Sequence, residues 1–276
     1  MRWKQFFTPV KSIDADSARK LIGEHPQGSV TILDVRQPKE YENGHIPGAK
    51  LIPLPEIKDR LNEIDPDKPT LTYCAIGGRS RVAAQMLSSE GFKNVYNLSG
   101  GIKAWNDNTA QGPVDQGLHL FSGRENVEEV LTVAFSLEKG LMHFYQQMQT
   151  RMTVKSIQDL FHQLASIEIS HQNRLLREYN RITGKSFTNL TFDSEIVSPV
   201  MEGGLSTEEY LQRFNADPDS PSEVVGLAMS IEAQALDLYH RAAENARDNA
   251  CREVLRRIAV EEQEHLKLLG ELFEEM

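Results

Sequence analysis

Two cysteines in 276 residues exclude whole classes of chemistry. A disulfide framework needs more of them. A four-thiolate iron site, or most iron–sulfur clusters, needs twice as many, so any redox reaction must take its electrons from outside or from sulfur itself. No apolar run approaches the length of a membrane span, and the N-terminus lacks an apolar core with a small-residue cleavage site. The expectation is a cytoplasmic protein with no membrane partner. Basic charge is also scarce where the chain is longest. Residues 1–110 hold 15 Lys+Arg against 13 Asp+Glu, whereas residues 111–276 hold 15 against 27. So acidic a C-terminal half lacks the clustered cations that phosphate contacts require, which excludes nucleic acid as its partner.

What is present falls into two patterns. Up to about residue 106, short apolar runs at Val30–Asp34, Lys50–Pro53, Thr70–Cys74 and Asn94–Leu98 alternate with helical stretches at Asp16–Glu24, Leu54–Glu63 and Arg79–Glu90. That alternation predicts a parallel sheet covered on both faces. From Ser122 the chain reads as helix. Ser122-Gly-Arg-Glu125 has the spacing of a capping box. Four long amphipathic runs are predicted, to about Thr150, over Val154–Ile182, from Ser222 to Arg247, and from an Asn249 N-cap almost to Met276. Roughly forty residues with Gly203-Gly204 and a short helix at Thr207–Phe214 join the second run to the third, a length that suits a crossover along a bundle. The expected domains are 1–108 and 122–276, with 109–121 as linker.

Cys74 ends an apolar strand, and Ala75-Ile-Gly-Gly78 separates it from Arg79, which opens a helix. A thiolate there faces successive backbone N–H groups and a helix N-terminus, both of which favour the anion. Gly77 and Gly78 let the backbone curl round the sulfur. Leu33-Asp-Val-Arg36, Glu40-Tyr41, Gly44-His-Ile-Pro-Gly-Ala49, Cys74-Ala-Ile-Gly-Gly-Arg-Ser80 and Asn97-Leu-Ser-Gly-Gly-Ile102 together resemble a single-domain rhodanese over residues 10–106. The resemblance implies a sulfurtransferase in which Cys74 carries sulfane sulfur as a persulfide and passes it to a thiol acceptor. The amides from Ala75 to Arg79 would hold the terminal sulfur. Related cysteine phosphatases use a loop one residue longer, which argues against phosphatase activity. Family members that handle thiosulfate often place a basic residue inside the loop, where this chain has Ala75 and Ile76. The expected donor is therefore a small persulfide, with thiosulfate a poorer one. His45 is assigned to turn geometry.

The helical half repeats itself. Glu138 and Glu168 are 30 residues apart, as are Glu232 and Glu262, and Glu168-x-x-His171 is matched by Glu262-x-x-His265. Tyr145 follows Glu138 by seven residues and Tyr239 follows Glu232 by seven, so every pair is offset by 94. Residues three apart on a helix share a face and can reach one ion. A Glu from each of two helices plus Glu-x-x-His from each of the others is a known way to hold two metal ions in a bundle. Four carboxylates match two divalent cations, and oxygen and nitrogen donors suit iron, with manganese as the alternative. Glu261 also precedes His265 at helical spacing, and the duplicate helix favours Glu262.

This half resembles the rubrerythrin and ferritin-like di-iron bundles over residues 122–276. The resemblance implies bridging Glu168 and Glu262, terminal Glu138 and Glu232, one histidine per metal, and Tyr145 and Tyr239 as hydrogen-bond donors behind the ligands. Rubrerythrins carry a further glutamate three residues after the third-helix ligand, where this chain has Ala235, and a rubredoxin domain that two cysteines cannot supply. The expected protein is thus a sulfurtransferase fused to a di-iron oxidase or peroxidase with an external electron donor, as a homodimer. The alternative is iron storage or trafficking, with the first domain as sulfur donor or docking module.

Overall fold

The four apolar runs of the first half and one further segment form five parallel strands: β1 (Lys11–Ile13), β2 (Thr31–Asp34), β3 (Lys50–Leu51), β4 (Thr70–Tyr73) and β5 (Val95–Leu98), in the order β1-β5-β4-β2-β3. The computed structural model describes residues 9–105, 108–192, 209, 210, 212, 217 and 220–275, and the chain divides into the units Met1–Val114 and Asp115–Met276. β4 is the middle strand and all four of its residues are buried. Successive side chains of a strand point to opposite faces. Leu33 and Val35 accordingly join Ile57, Ala83 and Leu87 on one face, while Ile32 and Leu71 join Ala18, Tyr41 and Ile46 on the other. Helices α1 (Ala15–Gly23), α2 (Pro38–Glu42) and α3 (Gly78–Ser89) belong to this unit.

Two elements differ from expectation. β1 lies at an edge with two exposed residues and one half-buried, so its sequence carries no apolar run. The helix expected over Leu54–Glu63 is instead a pair of 3₁₀ turns, Leu54–Glu56 and Leu61–Glu63. Pro53 and Pro55 account for the first: proline has no N–H to donate and disfavours helical backbone in the residue before it. His45 does hold a turn. Its ring stacks on Tyr41 with centroids 3.6 Å apart, and its backbone exchanges hydrogen bonds with Ala110.

The second unit is built on α4 (Val127–Arg151), α5 (Lys155–Thr183), the short α6 (Asn189–Phe192), α7 (Pro221–Asn245) and α8 (Asn249–Glu275). α4 packs chiefly on α5 and α7 on α8, and α4 also meets α8. Among the described residues no helix is long and apolar enough to cross a membrane. The Ser122–Glu125 contact forms, but the box that starts α4 is one turn later, Asn126 with Glu129. α8 is likewise capped by Asp248, whose carboxylate accepts from the Cys251 N–H, and the expected cap Asn249 is the first residue of the helix. α5 ends as expected at Gly184, with φ of 68°, a left-handed backbone that glycine adopts without cost. Of the short helix expected at Thr207–Phe214 only Glu209, Tyr210 and Gln212 lie within the described residues, and Gly203-Gly204 lies outside them.

The apolar interior of this unit is split in two. One cluster takes Val130–Leu137 of α4, Leu175–Tyr179 of α5, Ala235–Ala243 of α7 and Cys251–Ala259 of α8. The other takes Leu141–Met148, Ile157–Ala165, Val224–Ile231 and Leu269 of the same helices. Each helix passes from one cluster to the other, and at each passage a glutamate stands: Glu138, Glu168, Glu232 and Glu262.

Candidate functional site

Cys74 follows β4 directly and is 1% exposed. The loop bends at Gly77, whose φ of 92° lies in the left-handed region and which caps α3. The Gly77 N–H donates to Sγ at 3.2 Å. Ser80, one turn into α3, puts its hydroxyl 3.5 Å from Sγ and 2.7 Å from Asn97 Oδ1. The loop's carbonyls face the other way: Cys74 O accepts from Ile102 N at 2.8 Å and Ala75 O from Lys103 N at 3.3 Å. With the carbonyls held from behind, the amides are left to face the sulfur. Burial pushes the Cys74 thiol up, but the Ser80 hydroxyl and the amides of Ser80, Ile76 and Gly77 outweigh it, and the thiol lies below its ordinary value.

Gly101 makes this arrangement possible. A Cβ there would sit 2.2 Å from Cys74 O and 2.6 Å from Ala75 C and Ile76 N, and its φ of 60° is left-handed. Arg79 is placed at the loop as expected but is not a free cation. Its two terminal nitrogens donate to the two oxygens of Glu40 at 2.7 and 2.6 Å, and this pairing draws the Glu40 carboxyl down to about 2. Ile76 is 66% exposed at the loop's outer edge. Glu40, Ser80 and Asn97 join the site beyond the residues expected from the sequence. All three stand in the rhodanese-like motifs, but only folding brings Glu40 to Arg79.

In the second unit the six expected side chains meet. Glu138, Glu168, Glu232 and Glu262 are each 0% exposed and His265 is buried. His171 Nδ1 lies 3.5 Å from Glu138 and 3.7 Å from Glu168. His265 Nδ1 lies 3.3 Å from Glu232, 3.4 Å from Glu168 and 3.7 Å from Glu262. The two imidazoles stack with centroids 5.0 Å apart. Two donors each about 2.1 Å from one ion and roughly 105° apart would be about 3.3 Å from each other, so these separations suit a shared cation. Within this layer three groups each bring donor atoms within 4.8 Å: Glu168, His171 and His265; Glu138, His171 and Glu261; Glu232, Glu262 and His265.

The electrostatics favour a bound cation. Both oxygens of Glu138 are buried and make no hydrogen bond among the described residues, a costly state unless a cation takes them up. Burial pushes the Glu138 carboxyl up; the neighbouring His171, with lesser help from Glu168 and His265, brings it below its ordinary value. For Glu232, burial is opposed by His265, Glu262 and Tyr145, again with a net lowering. Burial pushes His265 down, and Glu232, Glu138 and Glu261 together pull it above its ordinary value. The donor set is oxygen and nitrogen only, which fits iron.

Tyr145 donates its hydroxyl to Glu232, and burial beside that carboxylate keeps its own proton firmly bound. Tyr239 is fully buried beside Phe121, ring centroids 6.1 Å apart. Ala235 lies in the apolar cluster. Glu261, which the 94-residue offset sets aside, groups with Glu138 and His171. Cys251 donates to Glu125 O at 3.2 Å, and burial with the Asp248 charge pushes its thiol to about 11, so it is a packing residue.

A family model for the rhodanese-like domain matches residues 14–108, and one for rubrerythrin matches residues 129–272, more than half of the chain. Among curated proteins the chain is 51% identical over 74 residues to Bacillus subtilis YqhL, covering 27% of this chain and 59% of that protein. It is 38% identical over 105 residues to the chloroplastic rhodanese-like/PpiC domain-containing protein 12 of Arabidopsis thaliana, covering 35% and 34%. The chain thus spans less than two thirds of the length of either. A crystal structure of a rhodanese-like domain protein from Staphylococcus aureus is 36% identical, with 37% of this chain and 98% of that one covered and a TM-score of 0.34.

Proposed function

Because the chain belongs to the rubrerythrin family and carries a rhodanese-like domain ahead of that family's helices, we propose that it joins two chemistries. Cys74 transfers sulfane sulfur, and Glu138, Glu168, His171, Glu232, Glu262 and His265 hold two iron ions for redox chemistry with oxygen, peroxide or a sulfane-sulfur compound. One observation carries the second half: four glutamates from four helices, each 0% exposed, converge in the only layer where the two apolar clusters of the described residues part. Four carboxylates in an apolar interior repel one another and demand countercharge. Two divalent ions supply it.

At Cys74 the thiolate attacks the terminal sulfur of a small persulfide. The donor's S–S bond breaks, the donor leaves as a thiolate, and the sulfur stays on Cys74 as a persulfide facing the amides of the loop. A thiol acceptor, as its thiolate, then attacks that terminal sulfur and Cys74 leaves as the thiolate it was. Both steps conserve electrons. With Arg79 paired to Glu40 and Ile76 at the rim, the pocket offers little free charge to a thiosulfate dianion, which favours persulfides of small thiols as donors.

When bound, an iron pair supplies one-electron steps and Lewis acidity toward an oxygen-bearing substrate. The chain orients its own ligands for this. Tyr145 keeps its proton and fixes Glu232 through it, while both apolar clusters keep bulk water from the layer. With two cysteines in the chain, an iron–sulfur relay is not available and the reductant for such a centre would be external. Metal analysis of the purified full chain with sulfur-transfer assays tests the reading. The expected result is two irons per chain in the wild type and in Cys74→Ser, loss of both in the Glu168→Ala, Glu262→Ala double variant, and loss of sulfur transfer in Cys74→Ser alone. A single ion per chain, or zinc alone, would refute the two-iron half.

A further inference from the structure

Glu261 and Glu262 are neighbours on α8, yet they serve different sides of the buried layer. Glu262 groups with Glu232 and His265, whereas Glu261 groups with Glu138 and His171. Three residues beyond Glu232, α7 has Ala235, packed in the apolar cluster and without an oxygen to offer. Both oxygens of Glu138, fully buried, are without a hydrogen bond among the described residues and lie at this same side. The Glu261 side chain is 17% exposed and stands at the rim of the layer, where Arg174 donates to it at 2.5 Å. Arg174 has a second carboxylate in reach, Glu178 at 3.8 Å, which also receives Arg257 at 3.1 Å.

We infer that Glu261 is a seventh, exchangeable ligand of the metal centre, joining Glu138 and His171 on one ion while Arg174 competes for the same carboxylate. The inference rests on the two-ion reading above. Its physical basis is an imbalance of strengths. An ion pair whose partners still meet water, here 24% and 17% exposed, holds its carboxylate less firmly than a divalent ion in a buried layer does. The guanidinium loses little on release, because Glu178 can take it. Glu261 thereby supplies from α8 the oxygen that Ala235 cannot supply from α7, and Arg174 sets how readily it does so.

Anaerobic calorimetric titration of the full chain with Mn(II), together with thermal unfolding of each variant, tests this. The wild type should bind two ions. E261Q should weaken one of them at least about tenfold and leave the other unchanged. R174M frees the carboxylate and should tighten that same ion several-fold, and the E261Q/R174M double variant should behave as E261Q alone. If Glu261 serves only as the partner of Arg174, the two single variants will shift binding in the same direction or not at all, and the inference is overturned. A wild type that binds no pair of ions would overturn the two-ion reading itself, a result distinct from two ions bound equally well by wild type and E261Q. Unfolding midpoints within the same range for E261Q and R174M establish that opposite changes in binding are not differences in folding.

Discussion

Replacing Gly101 by alanine would separate the amide cradle from Arg79 as the cause of Cys74 reactivity. The new Cβ would meet Cys74 O at 2.2 Å and Ala75 C and Ile76 N at 2.6 Å, all backbone atoms of the thiol loop. Ordinary contact between such atoms is about 3.5 Å, so the loop must retreat by about 1 Å. An alanine in left-handed backbone costs about 1–2 kcal/mol and overpacking a further ~1–3 kcal/mol, giving a loss of about 2–5 kcal/mol in the stability of this unit. The retreat also breaks the bonds from Ile102 N and Lys103 N that hold the loop's carbonyls, and the amides turn from Sγ. Each hydrogen bond to a charged group contributes about 1.5 kcal/mol, or roughly one pH unit of thiol acidity. The assay is the rate of alkylation by iodoacetamide against pH, with urea unfolding alongside; Cys251, at about 11, stays silent below pH 9. Gly78→Ala is the control, since a Cβ there meets nothing within 4 Å and its φ is not positive. It should be neutral or stabilise by up to about 1 kcal/mol. If Gly101→Ala is as stable as Gly78→Ala and its alkylation midpoint has not risen, the cradle does not set the acidity of Cys74.

Ser80→Ala should raise the same midpoint by roughly one unit with little loss of stability, and Ser80→Thr should restore it; an unmoved midpoint in the alanine variant would show that Ser80 acts only through Asn97. Glu40→Gln should release Arg79 and raise turnover with thiosulfate relative to a small persulfide, a ratio that steady-state assays with both donors read directly. The same variant carries a pH signature. The Glu40 carboxyl lies at about 2 in the folded chain against its ordinary value near 4.5, so its ion pair contributes fully above pH 4.5 and is lost as pH falls toward 2. Because both partners are more than a third exposed, the contribution is about 1 kcal/mol or less. Urea midpoints should therefore differ between wild type and Glu40→Gln at pH 7 and converge near pH 2. An equal difference at both would remove the ion pair as its cause.

Local signals and the structure differ at four places, for separate reasons. Asn249 and the Ser122–Glu125 box are sound N-terminal signals, and each lies within a turn of the residue that caps the helix in fact, Asp248 and Asn126. Spacing alone cannot choose between neighbouring capping residues. β1 gives no sequence signal, because an edge strand with two exposed residues has no apolar period. The turns at Leu54–Glu56 and Leu61–Glu63 replaced a helix whose prolines carried the warning in the sequence.

The sequence by itself determined the strand–loop–helix around Cys74, the alternation that builds a parallel sheet, and the four helices with their 94-residue echo. Those are local or periodic properties, written in residues close together or at fixed spacing. Only the tertiary structure decided which glutamate groups with which histidine, that Glu40 neutralises Arg79 across 39 residues of chain, that Tyr145 holds Glu232 across 87, and that Gly101 presses on the thiol loop. Each of these depends on how whole elements dock. A docked helix turned by one residue, about 100°, would have exchanged Glu261 for Glu262.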